Sequence, residues 1–124
     1  MKKFSKLWKS SKKPSKQRKY RANAPLSIKR KFLSVHLSKD LIKKYKTRNV
    51  IVRKNDKVKI TRGQFRGKTG KILNVITKKS KVFIEGIENV KKDGTKAYYP
   101  MEPSNLVIIE PDLTDKRRKI SKNE

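Results

Sequence analysis

The placement of the β-branched aliphatic residues constrains this chain most. Of its 19 Val and Ile, 15 lie between residues 50 and 110. Such side chains are stiff at χ1 and suit a pleated, half-buried surface. They fall in short runs: Val50–Arg53, Lys57–Thr61, Lys71–Thr77, Lys81–Ile87, Lys96–Tyr99 and Leu106–Ile109. Lys57–Thr61 alternates, which puts Val58 and Ile60 on one face. Lys78-Lys79-Ser80 joins two runs as a hairpin. Lys91-Lys92-Asp93-Gly94 is a second turn, because Asp-Gly favours positive φ. Pro100 and Pro103 separate the last two runs. Many short strands and no long helix predict a mainly β fold, a small barrel over residues 50–110. A domain of roughly sixty residues buries only about 60% of its unfolded surface and is marginal alone. A tight partner would stabilise it by mass action.

Charge identifies the kind of partner. The chain carries 37 Lys+Arg against 10 Asp+Glu, a net +27 over 124 residues. Residues 1–49 hold 18 cations and one acid, Asp40; residues 50–100 hold 14 and four; residues 101–124 hold five and five. A chain this basic repels itself in isolation and works against a polyanion, most commonly nucleic acid. The N-terminal half is therefore the electrostatic face. Removing residues 1–22 is expected to weaken nucleic-acid binding far more than removing residues 111–124.

Residues 1–22 have little apolar surface to offset the entropy of ordering, and are expected to be disordered when free. Trp8 in that arm stacks on a base, meets a neighbouring protein, or is disordered with it. Within residues 23–49 two short basic helices are predicted. Pro25 suits the first turn of one, with Ile28, Phe32 and Val35 on its apolar face over about ten residues. Ser38 caps the other, with Asp40 in its first turn and Lys43, Lys44 and Lys46 in its last. Leu41, Ile42 and Tyr45 face inward. Residues 111–124 form a C-terminal tail that includes a possible short helix.

Several classes are excluded. No apolar run exceeds four residues, so no segment spans a membrane. The arm has no apolar core of a secretory signal and lacks the apolar stripe of a mitochondrial transit peptide. Without Cys there is no disulfide framework and no thiolate zinc site. One His and no Cys leave few nucleophile–base pairs, and His36 reads as a connector or an RNA contact. Asp56, Glu85, Glu88 and Asp93 are the domain's carboxylates. They read as surface charges that offset nearby Lys, not as a metal site. No enzyme, metal or cofactor is expected.

The informative stretch runs from Asp56 to Ile72. Gly63, Gly67 and Gly70 stand there at spacings of four and three, interleaved with Arg62, Arg66, Lys68 and Lys71. Three glycines so close imply positive φ or close backbone approach. The loop is either a phosphate cradle of amides and cations or a tight β-turn. Phe65 at its tip packs under the loop or stacks on a base.

Val58-x-Ile60-x-x-Gly63-x-x-x-Gly67-x-x-Gly70-x-Ile72 resembles the KOW motif, the signature of an SH3-like barrel in ribosomal proteins and transcription elongation factors. The flanks narrow the resemblance. They are Tyr20 through Pro25, Ile28-Lys-Arg-Lys, Leu37-Ser-Lys-Asp-Leu41, Tyr45, Val52-Arg-Lys-Asn-Asp56, Pro103-Ser104-Asn-Leu-Val107-Ile108 and Asp115-Lys-Arg-Arg-Lys119. Together they resemble the eukaryotic and archaeal branch of the KOW-containing large-subunit ribosomal protein family, the counterpart of the bacterial twenty-fourth protein. The chain departs from that pattern at Met101-Glu102-Pro103, Glu110 and Asp112, where the family usually has basic residues.

The resemblance implies a structural protein of the large subunit that binds ribosomal RNA near the polypeptide exit and supports assembly and translation. Its partners would be large-subunit ribosomal RNA and neighbouring large-subunit proteins, with no small-molecule substrate and no homo-oligomer. Its place would be the cytoplasmic ribosome, after nuclear and nucleolar passage if eukaryotic. The alternative is a KOW-type transcription-elongation or chromatin protein. Elongation factors carry an α/β domain before the motif, for which residues 1–49 are too short and too basic. The candidate RNA contacts are Lys12, Lys13, Lys16, Arg18, Lys19, Tyr20 and Arg21 in the arm, and Lys29, Arg30 and Lys31 in the first predicted helix. Arg53 and Lys54 come next, followed by Arg62, Gly63, Phe65, Arg66, Gly67, Lys68 and Lys71 in the loop.

Overall fold

Alternating apolar residues build the centre of the molecule. The computed structural model describes Phe4, Ser5, Leu7 and residues 10–120; Trp8 lies outside the described residues. Strands β1 (Ser34–Leu37), β2 (Asn49–Ile51), β3 (Lys57–Ile60), β4 (Thr69–Ile76), β5 (Lys81–Ile84) and β8 (Leu106–Glu110) form a sheet in the order β2-β1-β8-β3-β4-β5. β1 and β8 are parallel, and the other pairs are antiparallel. β4 pairs with β3 in its first half and with β5 in its second. A register irregularity between Ile72 and Asn74 bends it between the two. A bulge of this kind re-aims a strand and increases its twist. The outcome is a small barrel-like β domain.

Val58 and Ile60 of β3 are fully buried, as their alternation requires, and meet Ile108 and Leu106 of β8 in register. Ile72, Val82, Ile84 and Ile87 complete the centre. Burying each such side chain contributes about 1.5–3 kcal/mol.

The predicted helix across Ile28, Phe32 and Val35 is shorter than expected. Helix α2 covers Leu26–Lys29, a 3-10 turn covers Arg30–Leu33, and the chain then becomes β1. In β1 the period is two. Val35 and Leu37 are buried while His36 is exposed. Pairing on both sides, to Asn49–Ile51 and to Val107–Ile108, supplies backbone partners that a helix extended to Val35 would forfeit. The barrel therefore starts near residue 34, and residues 23–49 contain strands as well as helices. Helix α3 (Lys39–Tyr45) forms as predicted. The Ser38 hydroxyl accepts from the Leu41 amide at 3.4 Å, and Lys46 ends the helix at φ 52°. Leu41, Ile42 and Tyr45 pack on the core.

The arm contains a helix, α1 (Pro14–Asn23), inside the segment expected to be disordered. Pro14 opens it at N1, and Lys, Gln, Arg and Ala are good helix formers. No residue of α1 is buried, so propensity and the proline at its first position support it more than packing does. Glu88–Val90 is a further strand, β6, missed in the sequence. It pairs with β7 (Lys96–Tyr98) across the predicted Lys91–Gly94 turn, with Gly94 at φ +88°. After β8 the tail contains no helix through Ile120. It folds back, and Ile120 joins the core.

Candidate nucleic-acid interface

α1 presents its cations through one geometric fact: Tyr20 points inward. Its ring lies 5.0 Å from Phe4 and 6.2 Å from Phe32, and the Arg21 guanidinium sits 5.1 Å from the Phe32 ring. At 100° per residue, Arg18 falls nearly opposite Tyr20, with Lys19 and Arg21 on the flanks. Lys12, Lys13, Lys16, Arg18, Lys19 and Arg21 are all exposed. Like charges three and four residues apart weaken a free helix by a few tenths of a kcal/mol per pair, and a polyanion relieves them. Tyr20 is half-buried between Phe4 and Phe32, so the structure gives it a packing role where a base contact was predicted. Beyond α2, Arg30 and Lys31 are exposed and Lys29 is half-buried.

The glycine loop links β3 to β4. Gly63 and Gly67 hold φ of +93° and +87°, which L residues rarely adopt. The Gly67 amide donates to the Ile60 carbonyl at 2.8 Å, and the Ile60 amide to Lys68 at 2.9 Å. The Arg66 and Lys68 amides donate to Gly63 and Phe65 at 3.2 Å. These three loop amides are consumed by the turn, so the cradle expected of the loop backbone is narrower than predicted. Its side chains take that part: Arg62, Arg66, Lys68 and, in β4, Lys71 are exposed. Gly70 serves the other purpose of glycine. A Cβ there would stand 2.6 Å from the Glu85 carbonyl oxygen.

Of the two roles open to Phe65, the structure shows packing under the loop. It is 7% exposed, belongs to the core, and packs 5.3 Å from the Tyr99 ring, with the Lys68 ammonium 5.2 Å away. The loop must bend over something apolar to keep its positive-φ glycines in place, and Phe65 is that support. Arg53 also has a protein partner, since its Nη1 meets the Asp115 carboxylate at 2.6 Å. Lys54 beside it is exposed.

Sequence reasoning missed the most buried charge in the described structure. Asp56, taken for a surface acid, is 0% exposed and paired with Arg118, 8% exposed. Arg118 Nη1 and Nη2 donate to Oδ1 and Oδ2 of Asp56 at 2.5 and 2.7 Å. The amides of Arg53 and Asp112 also donate to this carboxylate, each at 2.9 Å. Arg118 further donates to the carbonyls of Asp112 and Ile51 at 2.9 and 3.3 Å. The Thr47 hydroxyl donates to the Ile120 carbonyl at 3.1 Å. The tail is therefore a clasp across the barrel. The signal was Asp115-Lys-Arg-Arg-Lys119, in which a cation-rich run ends in an apolar Ile120.

The acidic departures from the family pattern are likewise internal partners. Glu102 pairs with Lys81, and Glu110 with Lys57 at 3.4 Å. The Thr114 amide and hydroxyl hold the Asp112 carboxyl below the usual range. The Arg117 amide, then the Arg53 side chain, do the same for Asp115. Glu102, Glu110 and Asp115 pair with cations of their own chain, and residues 101–124 carry five acids against five cations. His36 is exposed on β1, where Arg48 Nε donates to its Nε2 at 3.0 Å. Among the described residues no group of three His, Cys, Asp or Glu is placed to hold a metal, and no helix is long and apolar enough to cross a membrane.

Residues 11–122 match the family model that describes the eukaryotic L26 ribosomal proteins and their archaeal counterparts. Three curated archaeal relatives are each named large ribosomal subunit protein uL24. The protein of Methanosphaera stadtmanae is 47% identical over 108 residues, covering 87% of this chain and 92% of the relative. That of Methanothrix thermoacetophila is 43% identical over 108 residues, covering 87% and 93%. That of Korarchaeum cryptofilum is 42% identical over 109 residues, covering 88% and 83%.

Proposed function

The chain belongs to the L26 family of ribosomal proteins, and we propose on that footing how it serves as a structural constituent of the large ribosomal subunit. The match over residues 11–122 carries this conclusion, because it takes in helix α1 of the arm, the barrel and the clasp together. The chain binds large-subunit ribosomal RNA and stabilises its fold. Lys12, Lys13, Lys16, Arg18, Lys19 and Arg21, with Lys29, Arg30, Lys31 and Lys54, neutralise phosphates and release counterions. Arg62, Arg66, Lys68 and Lys71 do so from the glycine loop. If about ten phosphates are neutralised, log affinity falls against log salt with a slope of roughly −7 to −9. Of the 37 cations 28 are Lys, which suits point neutralisation of phosphates more than forked reading of bases. Recognition then rests on RNA shape.

The chain does no catalysis in this role. It works as one copy per particle beside neighbouring large-subunit proteins, near the polypeptide exit, in the cytoplasm. A eukaryotic chain would pass through the nucleolus during assembly. A sucrose gradient of native lysate at low and high salt tests the proposal. The expected result is co-sedimentation with the large subunit, at one copy, after the high-salt wash. Loss in the wash, or travel with chromatin, would overturn it in favour of a KOW-type transcription or chromatin role.

A further inference from the structure

Between α2, the 3-10 turn and strands β2 and β4 lies an open groove of about 370 Å³. Its floor is apolar: Leu33 and Val52 belong to the buried core, and Val75 is half-buried against it. Its lip is Leu26, which is 67% exposed although apolar. Arg30 and Arg53 also line it. Arg53 Nη1 already meets the Asp115 carboxylate at 2.6 Å. The Arg30 side chain is exposed and has no hydrogen-bond or ion-pair partner among the described residues.

Phosphate neutralisation alone has no use for an apolar floor between two arginines, and a duplex is too wide to enter. An unstacked nucleotide matches both halves. Its base offers apolar faces and a polar edge, and its phosphate offers the charge. The volume lies near the low end of ligand pockets, which run from about 300 to 1,000 Å³. Ser27 and Thr77 line the same groove, and a hydroxyl can both donate to and accept from a base edge.

Resting on the RNA-binding role above, we propose that this groove receives one nucleotide extruded from large-subunit ribosomal RNA. Its base lies against Leu26 and Val75, and its phosphate lies at Arg30. The site differs from the rest of the cationic surface in being shaped for a base rather than for backbone alone. It makes RNA conformation at one nucleotide part of what the protein recognises.

The test uses the full chain bound to purified large-subunit ribosomal RNA. The complex is irradiated with ultraviolet light, digested with a protease that spares Lys and Arg, and mapped by mass spectrometry. Nucleotide adducts on both Leu26–Arg30 and Val75–Thr77 are expected. Leu26→Ala, at an exposed position that keeps the charge, is expected to lower RNA affinity roughly fivefold with an unchanged salt slope. Adducts confined to α1 and residues 61–68, or Leu26→Ala affinity equal to that of the parent chain, would overturn the groove while leaving RNA binding intact. A cross-link in the groove to an apolar residue of another ribosomal protein in whole subunits would also overturn it. Absence of RNA binding altogether would remove the proposed function and the groove with it.

Discussion

Replacing Arg118 by Met tests whether the C-terminal clasp belongs to the fold. Met keeps much of the apolar stem and removes the charge. In the parent chain the Asp56 carboxylate accepts from two amides at 2.9 Å and from both terminal nitrogens of Arg118 at 2.5 and 2.7 Å. The variant leaves a carboxylate with no solvent exposure and two donors. Removing one partner of a buried pair costs about 3–5 kcal/mol. The surviving amides favour the lower end, while the abandoned carbonyls of Asp112 and Ile51 push upward. We expect a loss of about 3–4 kcal/mol, against a total of about 5–15 kcal/mol for a domain. Each kcal/mol lowers Tm by roughly 4–8 °C at this size, so the midpoint should fall by at least about 12 °C. Circular dichroism of the full chain during heating and urea titration measures it. Adding Asp56→Asn to Arg118→Met removes the stranded charge and should recover part of the loss. A single variant within about 1 kcal/mol of the parent, or a double variant showing the sum of two separate losses, would refute the clasp.

Removing residues 111–124 therefore destabilises the domain as well as removing a tail, so side-chain neutralisation is the fair test of charge partition. Arg18→Gln with Lys19→Gln should reduce the salt slope of RNA binding by roughly 1.4–1.8, and Lys116→Gln with Lys119→Gln should leave it nearly unchanged. Filter binding across salt concentrations reads both, and equal changes would end the partition. Gly70→Ala drives a Cβ to 2.6 Å from Glu85 oxygen and 2.8 Å from Ile84 Cγ2, and should cost about 1–3 kcal/mol in urea unfolding. Asp115 has its pKa lowered on folding, first by the Arg117 amide and then by Arg53. Its contribution is present above the unfolded value of about 3.9 and is lost as pH falls through the folded value. A stability difference between the parent and Asp115→Asn at pH 7 should therefore shrink below about pH 4, and one that closes between pH 7 and 5 would contradict this assignment.

Wherever the pattern was local, it was readable in the sequence. Val58 and Ile60 announce β3 by alternation, Ser38 and Asp40 announce α3 by capping, and Asp93-Gly94 announces its turn by backbone chemistry. The three loop glycines signalled positive φ or close approach without saying which; the structure gives positive φ to Gly63 and Gly67 and close approach to Gly70. What was lost depended on distant partners. Ser34–Leu37 carries both a helical and a strand pattern, and only β2 and β8 on either side decide for the strand. Phe65 and Tyr20 were open to base contact until Tyr99 and Phe32 were placed against them.

Charge divides in the same way. Residue content alone requires that the chain meet a polyanion, because 27 unmatched positive charges cannot be silenced within 124 residues. It also requires a β domain of small size, because β-branched residues gathered in short runs pack as pleated strands. Which charges stay inside is a property of the assembled fold. Asp56 and Arg118 are 62 residues apart, and no local rule links them. A buried ion pair exists only once the fold has brought both members out of water together, since either one alone would make that burial unfavourable.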